Sequence, residues 1–445
     1  MSQSLLIEGA WIVTLDDDIG VIEDGAVLLE RGRVHSIGPT NRIAPGYAGP
    51  RFDARGRTVM PGLVNAHMHL YSTFARGMAV PGEPPDRFSS ILEQLWWKLD
   101  KALELDDCYP SAVPPLCEGL RHGVTTIIDH HASPRAIEGS LDRIAEACRD
   151  VRVRANLSYE VSDRDGAERT TAGIEENRRW LTLVGEAKDP MLGGLLGLHA
   201  AFTLSDITLA RCVEAARELR AGFHIHVAES EDDPTDAVER SGTRTIHRLK
   251  AAKILGPRTL AAHCIHIDDT EIQALKQSRT AVVTNPQSNM SNAVGAPRLL
   301  ELLAHGLDVG LGSDGMTGDV FQEARALSLL HRHIAGDPRV GWMESARVAF
   351  NGTRAVAHRF FDAPVGVLKP GAFGDVVVRD YQPPTPLTSD NVWGHFLFGL
   401  GASPVTDVWV GGRRAVEDGR VIGVNEASAA ADARRRAQAL WGRMS

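Results

Sequence analysis

The middle of the chain alternates between short apolar runs and longer stretches of mixed character. In several of the longer stretches, apolar residues recur at spacings of three and four, which is typical of amphipathic helices. Examples lie at 135–150, 205–220, 268–278 and 320–334. The apolar runs have the length of strands and lie at 58–64, 124–129, 152–159, 193–200, 221–228, 258–264, 279–285 and 307–313. Eight strands that alternate with helices predict a closed parallel barrel, the (β/α)8 or TIM-barrel fold.

The two ends of the chain have a different pattern. Residues 1–57 and 365–425 contain short apolar or alternating runs that are interrupted by glycine and other turn residues, as in sheets joined by tight turns. We interpret these segments as one small composite β-sandwich, with the barrel spanning 58–364 between them. The Ala- and Arg-rich stretch 426–445 predicts a C-terminal helix. The predicted fold class is therefore α/β.

Charge and cysteine content exclude some classes of protein. The chain carries 48 basic and 57 acidic residues, a net charge of −9. A protein that binds nucleic acid or a membrane surface needs a basic face, so this balance argues against both classes. The five cysteines form no CxxC pair, which favours reduced thiols over a disulfide framework. With no signal-peptide pattern and no apolar run of membrane-spanning length, we expect a cytoplasmic protein.

Polar residues follow four of the predicted strands. His67 and His69 end the first strand, and the period of two along a strand points both side chains to the same side. Catalytic groups of a (β/α)8 barrel lie at the C-terminal ends of its strands, so we expect these residues to converge. Imidazoles and carboxylates suit a divalent ion such as zinc. The residues concerned are His67, His69, His226, Glu229, His263 and Asp314.

Six motifs resemble those of the amidohydrolase superfamily, in its cytosine deaminase and chlorohydrolase-like branch. They are PGLVNAHMHL (61–70), HIHVAES (224–230), LAAHC (260–264), NPQSN (285–289), LGSDG (311–315) and PVGVLKPGAFGDVVV (364–378). Four further motifs are more narrowly similar to the SsnA-type aminohydrolases, which are associated with purine breakdown. These are LYSTFARGM (70–78), LEQLWWKLDKAL (92–103), DHHASP (129–134) and SYEVSDRDG (158–166).

The resemblance implies a role for each residue at the strand ends. It implies one divalent ion per chain, Zn²⁺ or alternatively Fe²⁺, and a homodimer. Glu229 would shuttle protons, His263 would hydrogen-bond the water on the metal, and Asp314 would also accept a proton from that water. Such an ion lowers the pKa of its bound water and so creates a nucleophile near neutral pH. The implied metal ligands are His67, His69, His226 and Asp314.

The fourth predicted strand lacks the lysine that two-metal members of this superfamily carry at its end. The strand reads GGLLGLHA over 193–200, and Lys188 comes too early. This favours a single metal. His199, at the end of the strand, is a candidate substrate contact, although bonding to a neighbouring loop explains it equally well.

Other substrate contacts are less defined. The planar fork of Arg164 could hold an anionic or carbonyl-bearing substrate edge, with a loop ion pair as the alternative. Asn289 in NPQSN could shape the wall of the site. One of His130 and His131 is expected to face the pocket, and His130 is the candidate. His224 is interpreted as a core residue one layer below His226. Trp96 and Trp97 lie on a predicted lid helix and could stack on a flat ring, with packing in the core as the favoured alternative for a Trp on an amphipathic helix. 

The favoured function is deamination of an aminated purine, pyrimidine or related ring, a small heterocyclic substrate. The alternative keeps the site and changes the bond, as in hydrolysis of a ring amide or in a triazine-type chlorohydrolase. Glu229 favours deamination, because a ring nitrogen and the leaving amine must be protonated. A non-enzymatic scaffold is a third reading, and the complete set of ligand positions argues against it.

Overall fold

The computed structural model describes residues 4–80 and 82–444. Its strands are β1 (Ser4–Val13), β2 (Val21–Glu30), β3 (Arg33–Pro39), β4 (Arg51–Asp53), β5 (Thr58–Pro61), β6 (Leu63–Met68), β7 (Val124–Asp129), β8 (Arg154–Leu157), β9 (Leu192–Gly194), β10 (Leu196–Ala200), β11 (Phe223–Val227), β12 (Thr259–His263), β13 (Ala281–Thr284), β14 (Val309–Leu311), β15 (Val376–Arg379), β16 (Val405–Val410), β17 (Arg413–Glu417) and β18 (Arg420–Val421).

The α-helices are α1 (Thr40–Ile43), α2 (Phe88–Ile91), α3 (Trp97–Ala102), α4 (Leu105–Arg121), α5 (Ser140–Val151), α6 (Ala167–Ala187), α7 (Asp206–Leu219), α8 (Asp232–Ser241), α9 (Thr245–Ala251), α10 (Asp269–Ser278), α11 (Pro286–Ser291), α12 (Leu299–Ala304), α13 (Val320–Ala335), α14 (Met343–Arg347), α15 (Thr353–Ala357), α16 (Val392–Phe398) and α17 (Glu426–Arg443). Across the described residues, no helix combines the length and the apolar character needed to cross a bilayer.

The strands of the middle region form two parallel sheets, β6–β9 and β10–β14. Only Leu195 separates β9 from β10, and its amide bonds the carbonyl of Leu157 in β8 at 3.2 Å. At the other end, Met68 pairs with Asp314 in a parallel bridge, and the amide of Ser313 donates to the carbonyl of His67 at 2.9 Å. The mixed α/β fold with parallel sheets is confirmed, and the arrangement fits a (β/α)8 barrel.

Both ends of the chain contribute to one further sheet, in the order β18-β17-β16-β15-β5-β1-β2-β3, with β4 beside β1. The strand β5 lies between β1 and β15, so Thr58–Pro61 belongs to this sheet. The first predicted run, 58–64, thus spans two sheets. Its composition does not reveal the break, since all four residues of β5 and all six of β6 are buried. At Gly62, between the two strands, a Cβ atom would lie 2.0 Å from the Thr125 hydroxyl.

The C-terminal segment departs from the predicted strand pattern in one place. Helix α16 lies between β15 and β16, and its Phe396 ring stacks on Phe321 of α13 at 4.1 Å. The last helix, α17, packs against α4, and the Trp441 indole donates to the carbonyl of Phe74 at 2.7 Å. Residues 1–3 of the predicted sandwich and residue 445 of the predicted helix lie outside the described residues.

A buried arginine joins this sheet to the helical layer. Arg379 at the end of β15 donates to the carbonyls of Leu400 and Ser403, both at 2.7 Å, and of His122 at 2.6 Å. Its guanidinium also lies 4.5 Å from the centre of the Phe321 ring. Burial lowers the pKa of Arg379 to about 10. Three carbonyl oxygens and the face of an aromatic ring therefore surround the guanidinium group of Arg379.

We expect Arg379→Met to lower the free energy of unfolding by about 3 kcal/mol, because it removes one buried hydrogen bond from each of three carbonyls. Chemical denaturation with the unfolding followed by circular dichroism measures this change. Arg434→Met, at an exposed position of α17, serves as the matched control and is expected to change stability by less than about 0.5 kcal/mol. Equal stabilities of the two variants would contradict the role of Arg379.

Candidate active site

The C-terminal ends of the parallel strands bring the predicted histidines into one buried cluster. The rings of His67 and His69, both on β6 or directly after it, lie 4.9 Å apart. His226 comes from β11, and its ring centre is 5.1 Å from that of His67 and 5.2 Å from that of His69. His263 ends β12, with its ring centre 5.7 Å from that of His226. All four histidines are buried.

The donor atoms of this cluster have the spacing of a metal site. His69 Nε2 lies 3.2 Å from His226 Nε2 and 3.1 Å from Asp314 Oδ1. His67 Nε2 lies 3.7 Å from the same oxygen and has no hydrogen-bond partner among the described residues. Ligands of a tetrahedral zinc ion at about 2.05 Å are separated by about 3.3 Å. The residues present therefore fit a divalent ion.

The second nitrogen of each of three histidines is fixed by a neighbour. His67 Nδ1 lies 2.8 Å from His224 Nε2, His69 Nδ1 lies 2.6 Å from the carbonyl oxygen of His130, and His226 Nδ1 lies 2.8 Å from that of His199. Such contacts select the tautomer and orient the ring of a metal ligand. In each of these three histidines, the Nδ1 contact leaves the Nε2 atom facing the centre of the cluster. Burial lowers the pKa of His67 to about 3, so its imidazole is neutral.

Asp314 follows β14 and has a left-handed backbone, with φ of 55°. This conformation is uncommon for a residue other than glycine. Its carboxylate accepts a hydrogen bond from the Ser288 hydroxyl at 2.6 Å. Burial opposes ionisation, but the neighbouring imidazoles of His67 and His69 outweigh it and hold the pKa of Asp314 well below its usual value. Asp314 is thus an ionised carboxylate beside the neutral imidazole of His67, whereas hydrogen bonds to Asp314 and Glu160 overcome burial and raise the pKa of His69.

Glu229 lies next to this group of donor atoms, beside His263. Its Oε2 atom is 3.5 Å from His263 Nε2, and the same nitrogen is 3.6 Å from Asp314 Oδ2. Burial, reinforced by the Asp314 carboxylate, raises the pKa of Glu229 to about 8. Near neutral pH this carboxyl therefore holds a proton that it can donate. The amide of Asn292 approaches its other oxygen at 3.4 Å.

A pocket opens above the histidine cluster, and His69, His226 and Asp314 of the cluster lie at its base. His199 lies on its wall, as do Trp96 and Trp97 near the junction with α3. The apolar side of the pocket is formed by Phe88, Leu92, Trp96, Trp97 and Phe202. Its carboxylates are Asp100, Glu160, Glu229, Asp233 and Asp314, and none of the described lining residues is a lysine or arginine.

Three predicted substrate contacts lie behind the pocket wall. The guanidinium of Arg164 pairs with Asp100 and lies 5.2 Å from the Trp97 ring centre, because helix α3 places a carboxylate over it. Asn289 bonds His263 Nδ1 through its oxygen at 2.8 Å. His130 stacks on His224 at 4.2 Å. None of the three is among the described residues that line the pocket, and their role as substrate contacts stays a prediction.

The adjacent residues His130 and His131 point in different directions. His130 faces the histidine cluster, and its ring centre lies 4.9 Å from that of His226. His131 points away, with its Nε2 atom 3.0 Å from the Ser133 hydroxyl. Neither ring lines the pocket described above.

Sequence reasoning missed several groups that the fold brings to this site. Glu160, which follows β8, places Oε1 3.2 Å from His69 Nδ1 and Oε2 3.8 Å from His199 Nε2. His224 was expected in the core and is buried, but its contact with His67 makes it part of the site's support. The alternation along β11 was the available signal, because it puts His224 and His226 on one side of the strand.

The donor atoms of other histidines lie close enough to join a metal site. Groups whose ligand atoms lie within 4.8 Å of one another include His130 in one set and His263 in another. The cluster thus supports a divalent metal.

Comparisons with known proteins agree with this site. A sequence profile described as the amidohydrolase family matches residues 58–415. The chain is 30% identical to the 5'-deoxyadenosine deaminase of Methanosarcina mazei, over 99% of each chain. It is also 30% identical to the 5-methylthioadenosine/S-adenosylhomocysteine deaminase of Pelotomaculum thermopropionicum, again over 99% of each.

A similar solved structure is an adenosine deaminase from Xanthomonas campestris with bound zinc, which is 24% identical with a TM-score of 0.85 over 98% of each chain. These matches confirm the predicted superfamily and its deaminase branch. They also confirm the predicted enzyme class, a metal-dependent hydrolase of C–N bonds other than peptide bonds. The chain belongs to the amidohydrolase family.

Proposed function

We propose that this chain removes the amino group from the adenine ring of a nucleoside whose 5' substituent is uncharged. The observation that carries the proposal is the position of Glu229, a protonated carboxyl at the junction of the pocket and the histidine cluster. The names of two relatives, a 5'-deoxyadenosine deaminase and a 5-methylthioadenosine/S-adenosylhomocysteine deaminase, support the choice of the adenine ring.

We further propose that one divalent ion, Zn²⁺ or alternatively Fe²⁺, is held by His67, His69, His226 and Asp314. When bound, such an ion supplies a coordinated water of lowered pKa. The ligand spacing given above supports this set. The zinc in the similar adenosine deaminase structure supports the choice of zinc.

The roles of the chain's own residues follow from their positions. Glu229 donates its proton to the ring nitrogen beside the amino group, which makes the ring carbon a better electrophile. His263, held by Asn289, orients the incoming water, and Asp314 accepts a proton from it. Glu229 then takes the proton of the new hydroxyl group on the ring carbon and passes it to the leaving amine, and the proton that Asp314 accepted returns to Glu229, so that water and aminopurine give the oxo-purine and ammonia.

The walls of the pocket favour a flat ring with an apolar extension. Trp96, Trp97 and Phe202 offer aromatic faces against which a purine can pack. Glu160 and Asp314 on the polar side have lowered pKa values and are ionised, so they disfavour an anionic substituent, and the described lining has no lysine or arginine to offset them. A neutral 5' group therefore fits this pocket better than a phosphate.

We expect the kcat/KM for adenosine 5'-monophosphate to be at least about 100-fold below that for 5'-deoxyadenosine, because a phosphate dianion must enter beside buried carboxylates. Ammonia release at matched substrate concentrations measures the ratio. 5'-Amino-5'-deoxyadenosine, of opposite charge, is the matched control and is expected to be turned over. Efficient deamination of the monophosphate would contradict the charge argument.

Ammonia release by the zinc-loaded protein across a substrate panel tests the proposal. The panel contains 5'-deoxyadenosine, methylthioadenosine, guanine, cytosine, a pterin, a chlorotriazine and a cyclic amide. We expect the two adenosine derivatives to react fastest. Faster release of chloride from the triazine, or faster opening of the cyclic amide, would contradict deamination and favour the alternative chemistry at the same site.

The domain division is proposed on the same basis. We propose that the parallel strands β6–β14 close into a (β/α)8 barrel within the predicted range 58–364, and that 1–57 and 365–425 form the composite β-sandwich. Thr58–Pro61, at the start of the predicted barrel range, pairs with the sandwich strands instead. The bridge between Met68 and Asp314 supports closure of the barrel. We assign helix α17 (Glu426–Arg443) to the predicted C-terminal helical segment 426–445. The homodimer and the cytoplasmic location likewise remain predictions.

A further inference from the structure

A second cleft lies at the opposite end of the parallel strands. Its walls come from the turn between β2 and β3, the junction of α5 and β8, the segment before β9, and the turn between β16 and β17. Arg154 begins β8, and Met191 directly precedes β9. The cleft is therefore at the N-terminal ends of these strands, whereas the histidine cluster is at the C-terminal ends.

The lining of this cleft is strongly basic. Its arginines are Arg31, Arg33, Arg149, Arg152, Arg154, Arg413 and Arg414, and Asp189 is the single acidic residue among the described residues that line it. The chain as a whole carries a net charge of −9. A concave surface that gathers cations focuses a positive potential and attracts anions. We call this surface the arginine cleft.

Four of the arginines are engaged by carboxylates. Arg154 pairs with the buried Asp375 at 3.0 Å, and Arg414 pairs with Asp407 and Glu417. Arg33 reaches Asp362 at 3.4 Å. The fourth, Arg149, reaches Asp189 at 3.9 Å. 

Three arginines are left without a carboxylate. Within residues 4–80 and 82–444, Arg31, Arg152 and Arg413 form no ion pair, and Arg152 donates to a carbonyl, that of Arg414. Arg31 and Arg413 are exposed, and Arg152 is half-buried. A planar guanidinium matches the oxygens of a phosphate group, which it binds through two parallel hydrogen bonds.

Tight turns hold these arginines in place. Arg31 and Gly32 both have positive φ values, of 50° and 78°, as do Gly411 and Gly412, at 54° and 71°. The two turns pack directly on each other, since a Cβ atom on Gly412 would lie 3.2 Å from the Cα atom of Gly32. The amide of Gly411 also donates to Asp375 Oδ1 at 2.6 Å. The side chains of Arg31 and Arg413 therefore project from two turns that pack against each other.

We propose that the arginine cleft binds a small polyanion that carries two or more phosphate groups, at a site separate from the catalytic pocket. Arg31, Arg152 and Arg413 are its charged contacts. The carboxylate-lined catalytic pocket repels such a ligand, so the same molecule carries one site for anions and one that excludes them.

Isothermal titration calorimetry of the full-length, metal-loaded protein with inorganic tripolyphosphate tests the proposal. We expect saturable binding at one site per chain in the wild type. R31Q/R152Q/R413Q replaces the three guanidinium groups by neutral, polar amides, and we expect it to bind at least about tenfold more weakly. R42Q/R169Q/R434Q removes three exposed arginines elsewhere and is expected to bind as the wild type does. All three proteins keep the metal ligands, so heat from metal chelation is common to them.

Absence of saturable binding in the wild type, or equal affinity of the two triple variants, would overturn the proposal. Circular dichroism and metal content establish that each variant is folded. If the cleft variant does not fold, R413Q alone is measured, with an expected loss of about threefold, and an unchanged affinity overturns the assignment of Arg413. Competition with a short RNA and with anionic vesicles, at equal phosphate concentration, identifies the source. Stronger binding of either would overturn a small-molecule ligand.

Discussion

Replacing Glu229 with glutamine is expected to lower kcat by about 1,000-fold while the metal content stays at its wild-type value. A general acid contributes roughly 100- to 10,000-fold to such a reaction. Glutamine has the shape of the protonated carboxyl but no proton that it can transfer at neutral pH. Glu229 is buried in the pocket wall beside His263, so bulk water cannot easily take over its role.

The measurement is single-substrate kinetics of ammonia release together with metal analysis of the same preparation. Glu231→Gln is the matched control, because it makes the same change two residues away on a side chain that is 85% exposed. We expect the control to retain wild-type kcat. Near-normal turnover of the Glu229 variant would remove the proposed proton shuttle. Loss of its metal would assign Glu229 to the ligand set instead.

The residues at the strand ends were predictable because backbone geometry alone determines their position. A period of two puts His67 and His69 on one side of β6, and the parallel arrangement brings the ends of β11, β12 and β14 to the same edge. The prediction of His226 needed no knowledge of any side-chain contact. For these residues, secondary structure and strand order are enough.

The supporting residues were not predictable, because their partners come from distant elements. Arg164 was expected to hold substrate, but its partner Asp100 lies in α3, which precedes it by 64 residues. Asn289 meets His263 across 26 residues of sequence. Nothing in a local pattern distinguishes a polar side chain that faces a ligand from one that faces another side chain.

The same limit applies to the boundary between the two sheet systems. β5 of the terminal sheet and β6 of the parallel sheet are buried at every position, so both appear in the sequence as one continuous apolar run. The pairing of β5 with β1 and β15 is a long-range property. Similarly, the basic lining of the arginine cleft was hidden by an acidic net charge, because total charge does not describe its distribution.

Replacing His226 with alanine is expected to abolish metal binding and activity together. Its Nε2 atom lies 3.2 Å from that of His69, so its removal opens one corner of the donor set and leaves three ligands. The bond from Nδ1 to the carbonyl of His199 is lost as well. We expect metal content to fall from about one ion per chain to below about 0.1, and kcat to fall by more than about 10,000-fold.

A readout that does not depend on turnover separates this loss from misfolding. A ligand that binds only the folded state stabilises it, by about 4 kcal/mol at a thousandfold excess over its Kd. Adding zinc to metal-free wild type should therefore raise Tm, whereas the same addition to the His226 variant should leave Tm unchanged. His333→Ala, at an exposed position in α13, is the matched control and should behave as the wild type does. If the His226 variant keeps one ion per chain and its zinc-dependent Tm shift, the proposed ligand set is wrong, and His130 or His263, whose donor atoms lie within the same cluster, takes its place.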